Sequence, residues 1–230
     1  WLEEIARLPV DIDVASEMRY RDPPLSAGSL GLLISQSGET ADTLAALRSL
    51  REKAIHILSV LNVEHSTMAR ESDVMLGTVA GPEISVASTK AFTAQLTVLA
   101  CLTIATARAR GTLDPMGEEE LVAALMDLPS RAAEVFNQGN AIRQMAAIVA
   151  EARDVLYLGR GSMFPVAMEG ALKLKEISYI HAEAYAAGEM KHGPISLIDR
   201  TVPTVASAPS TPLFDKTLST PPEAKARDRQ

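Results

Sequence analysis

The chain has 230 residues and a net charge of −7, and 47% of its residues are hydrophobic but only 4% aromatic. That length allows one or two domains built on an aliphatic core. The acidic balance excludes a broad electrostatic footprint for nucleic acid, so an anionic ligand needs a local site. The single cysteine, Cys101, excludes a disulfide framework and fits a reducing cytoplasm.

The opening residues Trp1-Leu2-Glu3-Glu4-Ile5 lack an initiating methionine and read as the interior of a helix, so a piece of a longer chain is expected. Val10 to Val14 alternates apolar and acidic residues, the pattern of a short strand. Tyr20 to Ala27 holds Asp22-Pro23-Pro24 and reads as a loop. Leu30 to Ile34 is a continuous apolar run, the pattern of a buried parallel strand. An amphipathic helix is expected from Ala41 to Lys53, a strand from Ile55 to Val60, a loop and short helix over Asn62 to Arg70, and a strand from Val74 to Val79. After a loop beginning at Ala80, a long helix runs from about Thr89 to Arg110, and Gly111 stops it. Thr93 to Ala109 within it is expected to be a buried core helix, with Cys101 inside, and no segment reads as a signal peptide or a membrane span.

Leu113 to Ala152 is expected to be helical throughout, with Pro129 as a break. Val155 to Leu158 then reads as a strand, and Phe164 to Tyr179 as a helix. This repeats the earlier strand, small-residue loop and helix. Only one further strand is expected, Val202 to Ala206, which leaves the second sheet with two strands. The last ten residues, Pro221 to Gln230, read as a disordered tail. The whole pattern points to an α/β fold of parallel sheets, with ligands at the carboxyl ends of the strands. The expected domains are residues 1–112, a helical linker over 113–152, and a truncated second domain over 153–230.

The run Ser35-Gln36-Ser37-Gly38-Glu39-Thr40 lies where the first apolar strand meets its helix. Backbone N–H groups and the helix dipole favour an anion there, and Ser35, Ser37 and Thr40 add hydroxyl donors. The same residues also suit an ordinary N-cap. Glu169, Lys173 and Glu176 fall on one stripe of the later helix, as a catalytic set or a surface ion-pair ladder would. Two histidines, His181 and His192, follow among small residues, with Gly193-Pro194 fixing a turn. His192 is suited to moving a proton near neutral pH, whereas His56 and His65 read as structural. There is no His-Glu-x-x-His and no cysteine pair, so no required metal is expected; no cofactor is expected either. A phosphate cradle with a carboxylate, a lysine and a histidine suits proton transfer on a phosphorylated sugar.

Three stretches carry a family resemblance: Ser35 to Thr43, Val86 to Thr93, and Glu169 through Tyr179 to Pro194. They are similar to the isomerase half of the glucosamine-6-phosphate synthase family, the isomerising glutamine–fructose-6-phosphate aminotransferases. The likeness is nearly unbroken over residues 165–199 and fades beyond Ala206. It implies two flavodoxin-like sugar-isomerase (SIS) domains, with the second incomplete here. It implies that Ser35, Gln36, Ser37 and Thr40 hold the sugar phosphate and that the backbone of Val86 contacts the sugar. It further implies that Glu176 moves the proton between the first two carbons, that Lys173 assists, and that His192 opens the ring from a neighbouring subunit of a homodimer. Fructose 6-phosphate and glucosamine 6-phosphate are the implied ligands, in amino-sugar synthesis. Against that family, a glutaminase domain, a serine loop before residue 1 and a C-terminal tail with its Schiff-base lysine are expected to be missing from this stretch, and Ser85 stands where the family usually has glycine. Two other readings stay open: a SIS module that binds phosphosugars without turnover, and a phosphosugar isomerase that never uses ammonia.

Overall fold

The computed structural model describes residues 1–199 and 201–218. The tail expected over residues 221–230 lies outside them. The chain divides into two compact units, Trp1–Pro129 and a second that begins at Ser130.

In the first unit, α1 (Ala15–Arg21) precedes β1 (Leu30–Ser35), α2 (Ala41–Glu52), β2 (His56–Leu61), α3 (Thr67–Glu71), β3 (Val74–Gly77) and α4 (Thr89–Arg110). The strands form a parallel sheet in the order β1-β2-β3, with Leu30 opposite His56 and Leu58 opposite Val74. Alternate residues of a strand face opposite sides. Leu33, Ile57 and Leu61 therefore join Ala46, Leu47 and Leu50 of α2, Met68 of α3 and Met18 of α1 in one aliphatic core. The parallel pairing points all three strand ends the same way, so the loops after β1, β2 and β3 share one edge.

Three expectations fail here. Val10 to Val14 is irregular rather than a strand, because its valines and Ile12 lie exposed and, among the described residues, no neighbouring strand pairs with them. The opening residues make only a turn, Ile5 N–H donating to the Trp1 carbonyl at 2.8 Å, rather than a helix. Thr93 to Ala109 is helical but not a buried core helix. Within α4 only Ala91, Thr103, Ile104 and Ala107 are buried, and Cys101 is exposed. The apolar residues run all round α4, and one sheet face can cover only one side of it. By length and composition α4 could cross a membrane, though core helices pass the same test.

The helix α5 spans Pro115–Phe136 with Pro129 inside it, so the break falls at Asn137 and Gln138, not at the proline. The residues around Pro129 are exposed, and water can serve the carbonyl that its missing N–H leaves free.

The second unit holds α6 (Gly139–Ala150), β4 (Asp154–Gly159), α7 (Met163–Ser178), β5 (His181–Ala186), β6 (Thr204–Ala206) and α8 (Phe214–Leu218), with 3₁₀ turns at Ala187–His192 and Pro194–Leu197. Its sheet is parallel and has three strands, in the order β5-β4-β6, not the two expected. The extra strand is β5, where the sequence pattern shows histidines and glutamates among small residues and no strand is expected. Its residues in fact alternate, with His181, Glu183 and Tyr185 on one face and three alanines on the other. Central strand β4 is covered on both sides. Val155 packs with Ala171 of α7 and Ala182, while Leu156 and Leu158 pack with Ala187 and Met190. That two-sided burial explains why β4 reads as an unbroken apolar run.

Candidate functional site

The phosphate-cradle residues occupy the turn from β1 into α2. Ser35 is 8% exposed, and its Oγ accepts from the Gly38 N–H at 3.0 Å. Ser37 Oγ accepts from the Glu39 N–H at 3.2 Å. Each hydroxyl uses a lone pair on the backbone and keeps its own proton to donate. Among the described residues, neither proton is given to a protein acceptor. Thr40 is the N-cap of α2, yet its side chain makes no capping bond. The first turn of α2 therefore keeps N–H groups open towards an anion. Asp42 in that turn would oppose an anion, but it is paired with Arg19 at 2.6 Å.

The β2–α3 segment braces this turn. Gly38 has a φ of +66°, and a Cβ there would lie 2.1 Å from Ser66 Oγ. The Met68 N–H donates to the Gly38 carbonyl at 3.1 Å, and the Asn62 N–H to the Gln36 carbonyl at 3.3 Å. Glu39 turns away from the cradle, and its Oε1 accepts from the Thr67 N–H at 2.7 Å. That backbone hydrogen bond, aided by the Thr67 hydroxyl and the charge of Arg70, holds the Glu39 carboxyl below its usual range. The loop's one acid is thus drawn off the anion site.

Val86 lies in the β3–α4 loop on the same sheet edge and is 88% exposed. Ser85 beside it does not have positive φ, and its Oγ accepts from the Ala87 N–H at 3.2 Å. A side chain at position 85 therefore causes no backbone strain.

In the second unit Lys173 joins Glu176 Oε2 at 2.6 Å and Glu169 Oε1 at 3.4 Å. These three side chains are only 21–31% exposed, so the cluster is half-buried rather than a fully solvated ladder. Partial burial works against the Lys173 ammonium. The hydrogen bond and charge of Glu176, together with Glu169, outweigh it and raise its pKa. Exposed His192 ends the first 3₁₀ turn, and among the described residues no ion pair joins it to Glu176. His181 pairs instead with Asp154 at 2.9 Å, across the β4–β5 register. His56 is 86% exposed beside Asp73, and His65 is also exposed, so neither is part of the core.

Asn62, Ser66 and Glu39 also shape the cradle, though residue type and spacing assign them no role. The available signal was a polar residue directly after an apolar parallel strand, where side chains turn to loop backbone.

A family model, the SIS domain, matches residues 1–105 and 148–230. The chain belongs to the SIS domain family. It is 73% identical over 227 residues to a glutamine–fructose-6-phosphate aminotransferase (isomerising) of Gluconobacter oxydans, matching 99% of this chain and 37% of that SIS relative. A protein of the same name from Bradyrhizobium diazoefficiens is 58% identical over the same shares. The C-terminal domain of glucosamine-fructose-6-phosphate aminotransferase from Francisella tularensis superposes with a TM-score of 0.96 at 44% identity, covering 99% of this chain and 65% of that one. This SIS chain thus spans 37% of the length of the curated relatives it matches.

Proposed function

We propose that this chain is the isomerase part of an enzyme that converts fructose 6-phosphate and glutamine-derived ammonia to glucosamine 6-phosphate. The observation that carries this reading is the β1–α2 turn with its two polarised serine hydroxyls at an open helix N-terminus. That arrangement is built for a phosphate ester. Ser35, Gln36, Ser37 and Thr40 grip the phosphate, and the Val86 backbone meets the sugar. Anchoring the remote phosphate lets binding energy orient the reacting carbons. Glu176 carries the proton between C2 and C1, and Lys173 stabilises the enediolate oxygen or relays a proton. The short Lys173–Glu176 contact supports their working as a pair. His192 assists ring opening, which in a homodimer would come from the neighbouring subunit. The SIS halves are residues 1–112 and 153–230, joined by helical residues 113–152, and the enzyme works in the cytoplasm together with a glutaminase domain.

The test uses a full-length chimera in which this chain replaces the matching segment of the Gluconobacter oxydans relative. Glu176→Gln should abolish sugar isomerisation and spare glutamine hydrolysis. Isomerisation that persists at the parental rate removes Glu176 from the role. A second reading follows from the chain's share of its relatives' length: by itself it binds fructose 6-phosphate without turnover. Calorimetric titration followed by a product assay separates the two, because product formed by the isolated chain would exclude the second.

A further inference from the structure

We infer that Asn62 is a positioning residue for sugar-phosphate binding, acting by holding the β3–α4 loop in a left-handed turn at Val79. The inference rests on the reading above, in which the Val86 backbone of that loop meets the sugar. Asn62 directly follows β2, between the loop after β1 and the loop after β3. Its backbone N–H reaches the Gln36 carbonyl of the first loop at 3.3 Å. Its side chain reaches the other loop three times. Oδ1 accepts from Thr78 Oγ1 at 3.0 Å and from the Ala80 N–H at 2.9 Å, and Nδ2 donates to the Gly81 carbonyl at 2.7 Å.

Between the two donors to Oδ1 stands Val79, with a φ of +52°. A β-branched residue rarely adopts that conformation, because its Cβ crowds the backbone. Val79 is 85% exposed, so no packing against the core compels it. The polar bonds on either side are what fix the turn, as strained positions persist only where their surroundings over-determine them. The far end of the loop is anchored separately, with Glu83 Oε2 accepting from the Ala91 N–H of α4 at 3.1 Å. Val86 is thus carried on a span whose entry angle is set by one carboxamide. Without it, Val79 relaxes toward extended backbone and the span swings away from the strand edge.

In the chimera described above, Asn62→Ala should raise KM for fructose 6-phosphate about ten-fold with kcat within about two-fold, a loss of placement rather than of chemistry. Adding Val79→Gly should recover roughly half of that loss on a logarithmic scale, because glycine takes positive φ unaided. An unchanged KM overturns the inference, and so does a rise that Val79→Gly leaves untouched. If Asn62→Ala does not fold, Thr78→Val, which deletes one donor to Oδ1, should raise KM about two-fold, and no change there is equally fatal. Ser37→Ala is the control. If it and the parent show no phosphosugar dependence at all, the proposed function fails. If it weakens binding while the Asn62 variants do not, only the present inference fails.

Discussion

Gly38→Ala is the sharpest single probe of the phosphate turn. The new methyl would sit 2.1 Å from Ser66 Oγ and 2.6 Å from Ser66 Cβ. Ser66 is only 1% exposed and caps α3 through the Ala69 N–H, so it has no room to withdraw. Alanine at a φ of +66° adds about 1–2 kcal/mol of left-handed strain. Forcing a methyl into a packed site adds about 1–3 kcal/mol. Together these predict about 2–5 kcal/mol of destabilisation of the first unit, or a fall in the urea midpoint of roughly 1 M or more at a slope near 2 kcal/mol/M. Unfolding should be followed by hydrogen exchange of the β1–α2 segment, since two units need not unfold together. Ser66→Gly by itself should cost only a few tenths of a kcal/mol as a cap. Combined with Gly38→Ala it should remove the clash and leave the strain, a coupling of about 1–3 kcal/mol. Gly38→Ala within about 0.5 kcal/mol of the parent, or no recovery in the double variant, would refute the packing argument.

Further outcomes test other parts of the molecule. The Glu39 carboxyl has a lowered pKa, so its contribution to stability is present above the usual glutamate range and lost as pH falls through the lowered value; Glu39→Gln should flatten that acid limb in urea unfolding at stepped pH. Gly159→Ala would bring a Cβ within 2.0 Å of the Met163 carbonyl, which is backbone and cannot rotate aside. It should cost about 3 kcal/mol, read as loss of the second unit's exchange protection. Cys101 should react with a maleimide in the native chain at a rate close to that in denaturant, because its thiol is exposed on α4.

The parallel strands were legible wherever the sequence keeps a continuous apolar run: β2 and β4 are buried along most of both faces, and β1 stays apolar although Leu30 and Ile34 on one face are exposed. Strand β5 was hidden because its sequence, His-Ala-Glu-Ala-Tyr-Ala, alternates small with functional side chains and not apolar with polar. The acid–apolar alternation at Val10 to Val14 had the opposite effect. It matched a strand period where, among the described residues, no partner strand lies alongside. The exposure of α4 was not legible, since a helix apolar all round does not say how much of it a sheet will cover. At the candidate site, the hydroxyls and the charge stripe were visible in residue types and spacing. The Asn62 clamp was not, because it depends on a loop far along the chain returning to the end of β2.

Every strand pairing among the described residues is parallel. No tight hairpin can therefore nucleate either sheet, and each pair must wait for the helix between its members to form and dock. Such high contact order predicts slow refolding, with native helices appearing before native sheets. A ribosome or a refolding buffer would thus meet open strand edges for longer than in an all-helical protein of this size, which makes dilution and low temperature the conditions for recovering this chain intact.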